Sequence, residues 1–166
     1  EQWKAAKAKA AEAKKLFDEA KKKLDQDKAA RKSAESELAK AKSDSAKAKA
    51  AYDSAEAQAK QTEEKAKGIL ADAAKPQPEK DAAQKDSAGK RKAANDLKLA
   101  LGKLVAERLK PSEQKLADLM ESIISSEKIL AEAEIKQKDS ASESAKLEAK
   151  KKKVDALAKT INDAFK

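Results

Sequence analysis

The chain contains neither cysteine nor histidine. It therefore lacks thiol nucleophiles, imidazole bases and the commonest ligands of transition metals. Its acidic residues stand three or four positions from lysines, a spacing typical of solvated ion pairs on helices rather than of a catalytic pair. The three glycines are isolated and form no phosphate-binding loop. We predict a protein that is not an enzyme and that binds no metal or cofactor.

Aromatic residues and long apolar runs are also scarce. Aromatics make up 2% of the 166 residues, and no run approaches the roughly 18 consecutive apolar residues of a membrane span. Charged residues make up 42%, with a net charge of +9. An alanine-, lysine-, glutamate- and leucine-rich composition is typical of coiled coils and long helical bundles. The excess of positive charge favours contact with acidic partners.

A heptad repeat runs without interruption through residues 1–70. One core series is Trp3, Ala10, Phe17, Leu24, Arg31, Leu38, Ser45, Tyr52, Ala59 and Ala66, and the other is Ala6, Ala13, Ala20, Asp27, Ala34, Ala41, Ala48, Ala55, Thr62 and Ile69. Such a sustained period predicts a long supercoiling helix. The apolar stripe is narrow and flanked by charged residues, which favours two strands over a thick bundle.

The pattern breaks at the sequence Lys75-Pro-Gln-Pro-Glu79, because two prolines one residue apart cannot continue a helix. We predict a first helix over 1–74, an apex or turn region over 75–95 and a second arm over 96–166, together forming one elongated domain. Heptads return at Leu116, Leu119, Ile123, Ser126, Leu130, Ala133, Gln137, Ser140, Ser144, Leu147, Lys151, Val154, Ala158, Ile161 and Phe165. Pro111 either kinks this arm or begins a third helix.

Matching of charges and core residues predicts how the arms face each other. Lysines flanking the first core stripe meet acidic residues of the second arm when Lys28 is set opposite Glu134. Nearly the same alignment sets Trp3 opposite Ile161 and Asp27 opposite Gln137, with the turn centred near Ala82. We therefore predict an all-α fold, a long antiparallel alanine-rich coiled-coil hairpin with a kinked second arm. The alternative is an elongated three-helix bundle.

Two clusters near the predicted apex are candidate binding sites. The first is basic and consists of Lys85, Lys90, Arg91 and Lys92. Loops on rigid scaffolds commonly carry recognition, although solvated turn charge has the same composition. The second is apolar and follows directly, with Leu97, Leu101, Leu104 and Val105 as its main members. It has too many apolar positions for one narrow stripe, so it either packs locally or leaves an exposed patch.

Several stretches resemble known helical binding proteins. The stretch Phe17-Asp-Glu-Ala-Lys-Lys-Lys-Leu-Asp-Gln-Asp-Lys28, with Gln61-Thr-Glu-Glu-Lys-Ala-Lys67, resembles the coiled-coil surface proteins of Gram-positive cocci that include pneumococcal surface protein A. The stretch Ser43-Asp-Ser-Ala-Lys-Ala-Lys-Ala-Ala-Tyr-Asp-Ser-Ala-Glu56 resembles the receptor-binding hairpins of nuclease colicins. The resemblance implies an exposed helical rod that presents a binding surface to a protein of a host or of a cell surface.

These observations together predict a non-catalytic helical rod that binds a host or cell-surface protein. We expect it to be secreted or held at the cell surface rather than in the cytoplasm. The chain begins at Glu1, which we interpret as a mature protein or an excised fragment whose targeting signal and anchor lie outside it. One alternative is an intracellular binder of nucleic acid or another polyanion. Another is a lysine- and alanine-rich stress protein, which the regular core series argues against.

Overall fold

The fold consists of two helical arms joined by a short turn. A computed structural model describes residues 1–164, with side chains up to Asp163. Helix α1 spans Gln2–Ala71, and the second arm comprises α2 (Gln77–Leu104), a π-helical segment (Val105–Leu109) and α3 (Lys110–Ala164). The described residues contain no β-strand. The predicted all-α hairpin with antiparallel arms is confirmed.

The chain divides into two compact units. The first unit combines Glu1–Arg31 with the described residues from Asp118 onward, so that it pairs the start of α1 with most of α3. The second unit, Lys32–Ala117, contains the rest of α1, the turn, α2, the π-helical segment and the start of α3. In each unit the core is the seam, meaning the heptad core positions at which the two arms pack together.

Alanine dominates the seam of α1. Its buried residues all belong to the predicted core series: Ala6, Ala13, Leu24, Ala34, Leu38, Ala41, Ala59 and Ala66. Small side chains at these positions allow two helices to approach closely while remaining well packed. Arg31 is exposed at its predicted core position. The heptad prediction for the first arm is otherwise confirmed.

The turn is much shorter than the predicted apex region of 75–95. Helix α1 ends at Ala71, and the carboxylate of Asp72 accepts a 2.9 Å hydrogen bond from the backbone N–H of Ala74. Pro76 is the N-cap of α2, and Pro78 lies in the first helical turn, where a missing N–H costs little. Residues 77–95 are therefore helical, and the prolines start α2 instead of prolonging a loop.

The π-helical segment explains the irregularity near Pro111. Seam positions Ala94 and Leu101 are seven residues apart, as are Leu109 and Leu116, but Leu101 and Leu109 are eight apart. A π turn accommodates one extra residue, and the N–H of Lys110 bonds the carbonyl of Val105 accordingly. The apolar stripe thus stays on one face. The second arm is continuous through Pro111, and the three-helix alternative is wrong.

The predicted alignment of the arms is wrong. Lys28 pairs with Glu127 at 3.3 Å instead of with Glu134, and Asp27 contacts Ser126 instead of Gln137. The cause is the shorter turn, which centres the hairpin near Gln77 and not near Ala82. The charged contact of Lys28 tolerates the change, because Glu127 lies one heptad before Glu134 and therefore on the same face of the second arm.

The different alignment of the arms also changes what the end of α3 contacts. Lys151, not Ile161, lies against Trp3, with its Nζ atom 4.4 Å from the indole centroid. Beyond that point no residue of α1 lies opposite α3. The predicted core positions Val154, Ala158 and Ile161 are consequently exposed, and Lys151 is also exposed although it contacts Trp3. Phe165, the last predicted core residue, lies outside the described residues.

Candidate protein-binding surface

The three candidate lysines project from a helix and not from a loop. Lys85, Lys90 and Lys92 are all exposed on α2. At about 100° per residue, Lys85 and Lys92 share one face of the helix, whereas Lys90 lies roughly 140° away from Lys85. The structure therefore does not bring the predicted basic cluster together as one patch.

Arg91 belongs to a network of ion pairs between α2 and α1. Its Nε and Nη2 atoms each donate a 2.6 Å hydrogen bond to the carboxylate of Glu63, and Nη1 donates a 2.8 Å bond to Glu56. These bonds raise the pKa of the Arg91 guanidinium above its usual range and lower the pKa of Glu63. A two-point contact of this kind fixes the relative positions of two helices. The geometry supports a structural role for Arg91.

The apolar candidates divide between the seam and the surface. Leu101, Leu104 and Val105 are half-buried, whereas Leu97 is 36% exposed at the edge of the seam. Leu99, in contrast, is 67% exposed. Its position five residues after the buried Ala94 places it roughly 140° from the seam, so the spacing already distinguished it from its neighbours. The sequence prediction did not single it out.

Leu99 borders an open hollow on the outer side of the second arm. We define the π-segment surface as the residues that line this hollow: Asn95, Lys98, Leu99, Gly102, Lys103, Ala106 and Glu107. The hollow has a volume of about 650 Å³. It exists because Gly102 and Ala106 contribute almost no side chain, and a Cβ atom built on Gly102 would meet nothing within 4 Å. The hollow can accept an apolar side chain of a partner.

Lysines give the π-segment surface its charge. Lys98 and Lys103 border Leu99 on either side, and neither makes an ion pair with another residue in 1–164. Glu107 supplies one opposite charge at the rim. An apolar anchor site between unpaired cations is suited to a protein surface that offers an apolar side chain next to carboxylates.

Other kinds of site are not apparent in the described part of the chain. Among residues 1–164, no group of three or more acidic side chains is arranged to hold a metal ion. None of the described helices has an apolar stretch long enough to cross a membrane.

Comparison with protein families, with curated proteins and with solved structures finds no match to this chain. The resemblance to coiled-coil surface proteins and to colicin hairpins stays a prediction.

Proposed function

We propose that the protein is a non-catalytic helical binding module, which recognises an acidic protein of a host or cell surface through its π-segment surface. The observation that carries the proposal is Leu99, a large apolar side chain 67% exposed beside an open hollow. Single exposed leucines are common, but this one is accompanied by a place for a partner's side chain.

The backbone supports the same assignment. The π-segment surface overlaps the π-helical segment at Ala106 and Glu107. Short π segments occur frequently at functional sites, because they alter which side chains and backbone groups a helix presents. The surface is also built on a continuous helix, and rigid presentation reduces the entropy lost on binding.

Charge supports a protein partner with an acidic surface. The chain carries a net charge of +9, and Lys98 and Lys103 concentrate positive charge beside the apolar anchor. Such charges speed the encounter with an acidic surface, while burial of Leu99 would prolong the complex. A secreted or cell-envelope location, as the resemblance implies, would give the module access to such partners.

The test is capture of cell-surface proteins by the full chain, followed by affinity measurement on the purified partner. We expect Leu99→Asp to lose at least roughly tenfold in affinity, since it places a carboxylate in the apolar contact. Ile135→Asp is the matched control, because Ile135 is 61% exposed on α3 and is not one of the residues that line the hollow. It should bind as the wild type does. Equal affinity of wild type and Leu99→Asp would contradict the proposal.

Two further measurements separate the rivals. A variant with Lys85, Lys90 and Lys92 replaced by Ser should bind the partner as tightly as wild type. If this variant lost binding while Leu99→Asp bound normally, the partner would bind the predicted basic cluster instead. Binding to duplex DNA should be weak and fall steeply with salt. Tight binding to DNA that survives physiological salt would favour the polyanion alternative instead.

A further inference from the structure

An apolar stripe on α3 continues past the place where α1 covers it. Trp3, near the start of α1, lies against Lys151, so the residues of α3 from Val154 onward extend beyond α1. Val154, Leu157 and Ile161 are 63%, 64% and 57% exposed. At about 100° per residue these three side chains lie within roughly 60° of one another around the helix. Single exposed apolar residues are ordinary, but three aligned ones make this part of α3 amphipathic and leave its apolar face uncovered.

Lysines surround this stripe, and the acidic residues lie away from it. We define the basic segment as residues 150–163 of α3, which contain five lysines and two aspartates and so carry a net charge of +3. Lys150 and Lys153 lie within about 75° of the centre of the stripe. Neither makes an ion pair with another described residue. Asp155 and Asp163 lie more than about 120° from that centre. The apolar face is therefore bordered by cations, while both carboxylates are on the other side of the helix.

We propose that the basic segment binds the surface of an anionic lipid bilayer. The helix lies in the plane of the interface, with Val154, Leu157 and Ile161 inserted roughly 5–10 Å at the boundary between headgroups and acyl chains. Lys150 and Lys153 reach the lipid phosphates, because a lysine can lay its methylene groups on apolar surface and keep its ammonium in the polar layer. The segment is about 20 Å long, which is shorter than the thickness of a bilayer. It lies on the membrane and does not cross it.

Charge and size favour a bilayer over other occupants of the stripe. A stripe with three large side chains is far smaller than the roughly 20–30 residues per side of a standard protein interface. A bilayer does not depend on that area alone, because anionic headgroups attract every lysine near the surface, including those outside the stripe. A second copy of the chain is disfavoured, since its own basic segment would bring a further charge of +3 to the contact.

The small number of apolar residues predicts weak and reversible binding. A single myristoyl chain binds membranes with an association constant of about 10⁴ M⁻¹, and three partly inserted side chains bury less apolar surface than that chain. We therefore expect half of the protein to be bound at a lipid concentration on the order of 1 mM at physiological salt. Higher salt should weaken the binding, because it screens the attraction between the lysines and the headgroups.

Co-sedimentation of the full chain with large vesicles tests the proposal. Vesicles of phosphatidylcholine with about one-third phosphatidylserine should bind the wild type, and vesicles of phosphatidylcholine alone should not. Leu157→Asp should weaken binding to the anionic vesicles by at least roughly tenfold, because it puts a carboxylate on the inserted face. Ala156→Asp is the matched control, since it adds the same charge to the same segment at an exposed position about 130° from the stripe. Its affinity should stay within roughly threefold of wild type.

A second set of variants tests the lysines. Replacing Lys150 and Lys153 by Gln should weaken binding to the anionic vesicles by at least roughly fivefold. Replacing Lys128 and Lys136, two exposed lysines elsewhere on α3, lowers the net charge equally and should change binding little. Leu99→Asp, which tests the π-segment surface, should bind these vesicles nearly as wild type does, so the two proposals fail independently. Circular dichroism verifies that each variant is helical.

Three results would overturn the proposal. The wild type could stay unbound with anionic lipid at about 10 mM, well above the expected midpoint. Leu157→Asp and Ala156→Asp could lose affinity equally, which would assign binding to charge alone and not to the apolar face. Sedimentation could also show a dimer that Leu157→Asp abolishes while the vesicles remain unbound, which would assign the stripe to a second copy of the chain.

Discussion

Ser126 donates a 2.8 Å hydrogen bond from its Oγ atom to the carboxylate of Asp27, which joins α3 to α1 within the seam of the first unit. Ser122 donates a second bond, of 3.1 Å, to the same oxygen. Ser126 is 2% exposed. A carboxylate at a core position is thus satisfied by two hydroxyls from the opposite helix. This polar layer specifies one alignment of the arms, since a slip by one heptad would leave Asp27 without these donors.

Removal of the carboxylate should cost stability. We expect Asp27→Ala to lower the free energy of unfolding by about 1–3 kcal/mol, because it leaves the buried hydroxyl of Ser126 without its partner. Replacing Asp27, Ser122 and Ser126 together by Ala should recover part of that loss. Urea unfolding of the three proteins measures the difference. If Asp27→Ala were as stable as wild type, the polar layer would not stabilise this alignment.

This layer also shows where the sequence prediction reached its limit. The heptad period located the buried alanines of α1, and it recognised Asp27 as a polar core position. It did not determine which residue faces Asp27, because lysine and glutamate recur at many heptads and several alignments satisfy them. The deciding feature was the length of the turn. Because α1 ends at Ala71 and α2 begins at Gln77, only residues 72–76 separate the two arms.

The candidate site was only partly predictable for a related reason. The leucine-rich stretch was visible, but the sequence did not separate Leu101 in the seam from Leu99 at the surface. That separation depends on which face of α2 packs against α1, and the buried Ala94, which was not among the predicted core residues, defines that face. Arg91 was grouped with its neighbouring lysines because its partners, Glu56 and Glu63, are far away in the sequence.

The ion pair between Arg91 and Glu63 predicts a specific dependence on pH. The hydrogen bonds from Arg91 lower the folded-state pKa of Glu63, so the carboxylate stabilises the fold above its ordinary unfolded pKa of about 4.3. That contribution is lost as the pH falls through the lowered folded pKa. At pH 7, Glu63→Gln should therefore melt at a lower temperature than wild type, and the gap should close in acid.

Thermal melts between pH 7 and pH 2 measure this gap. Glu64→Gln serves as the control, because Glu64 is exposed on the same helix and makes no ion pair in the described chain. The melting temperature of Glu64→Gln should equal that of wild type at every pH. A gap for Glu63→Gln that persists unchanged at the acid end would show that the substitution acts by some route other than the charge of Glu63.

A larger side chain at a seam position tests whether that position is packed between the two helices. Ala41 is 3% exposed and lies by Pro111 and Ser112 of the second arm. Ala41→Leu should lower the free energy of unfolding by about 1–3 kcal/mol, because a larger side chain at this buried position forces the two packed helices to shift. Ala57→Leu, on the exposed face of α1, should change it little. Equal unfolding curves for all three proteins would place Ala41 outside the seam.

The π-helical segment makes the most demanding prediction, because two features of the sequence call for it. One is the extra residue between Leu101 and Leu109, and the other is Pro111, which cannot bond as a regular α-helix requires. Deleting Ala106 removes the first cause, and Pro111→Ala removes the second. The combined variant should form an unbroken α-helix whose seam residues all face α1. Its midpoint of unfolding should lie at a urea concentration at least as high as that of wild type.

Deletion of Ala106 alone should cost stability, because Pro111 would then interrupt a regular α-helix, at about 3 kcal/mol. Deletion of Ala131, an exposed residue of α3, is the control. That deletion rotates all later seam residues of α3 by about 100° away from α1, with no π turn available to restore their phase. It should abolish cooperative unfolding of the first unit. If the combined variant were as unstable as the Ala131 deletion, the π-helical segment would not be compensating for an extra residue.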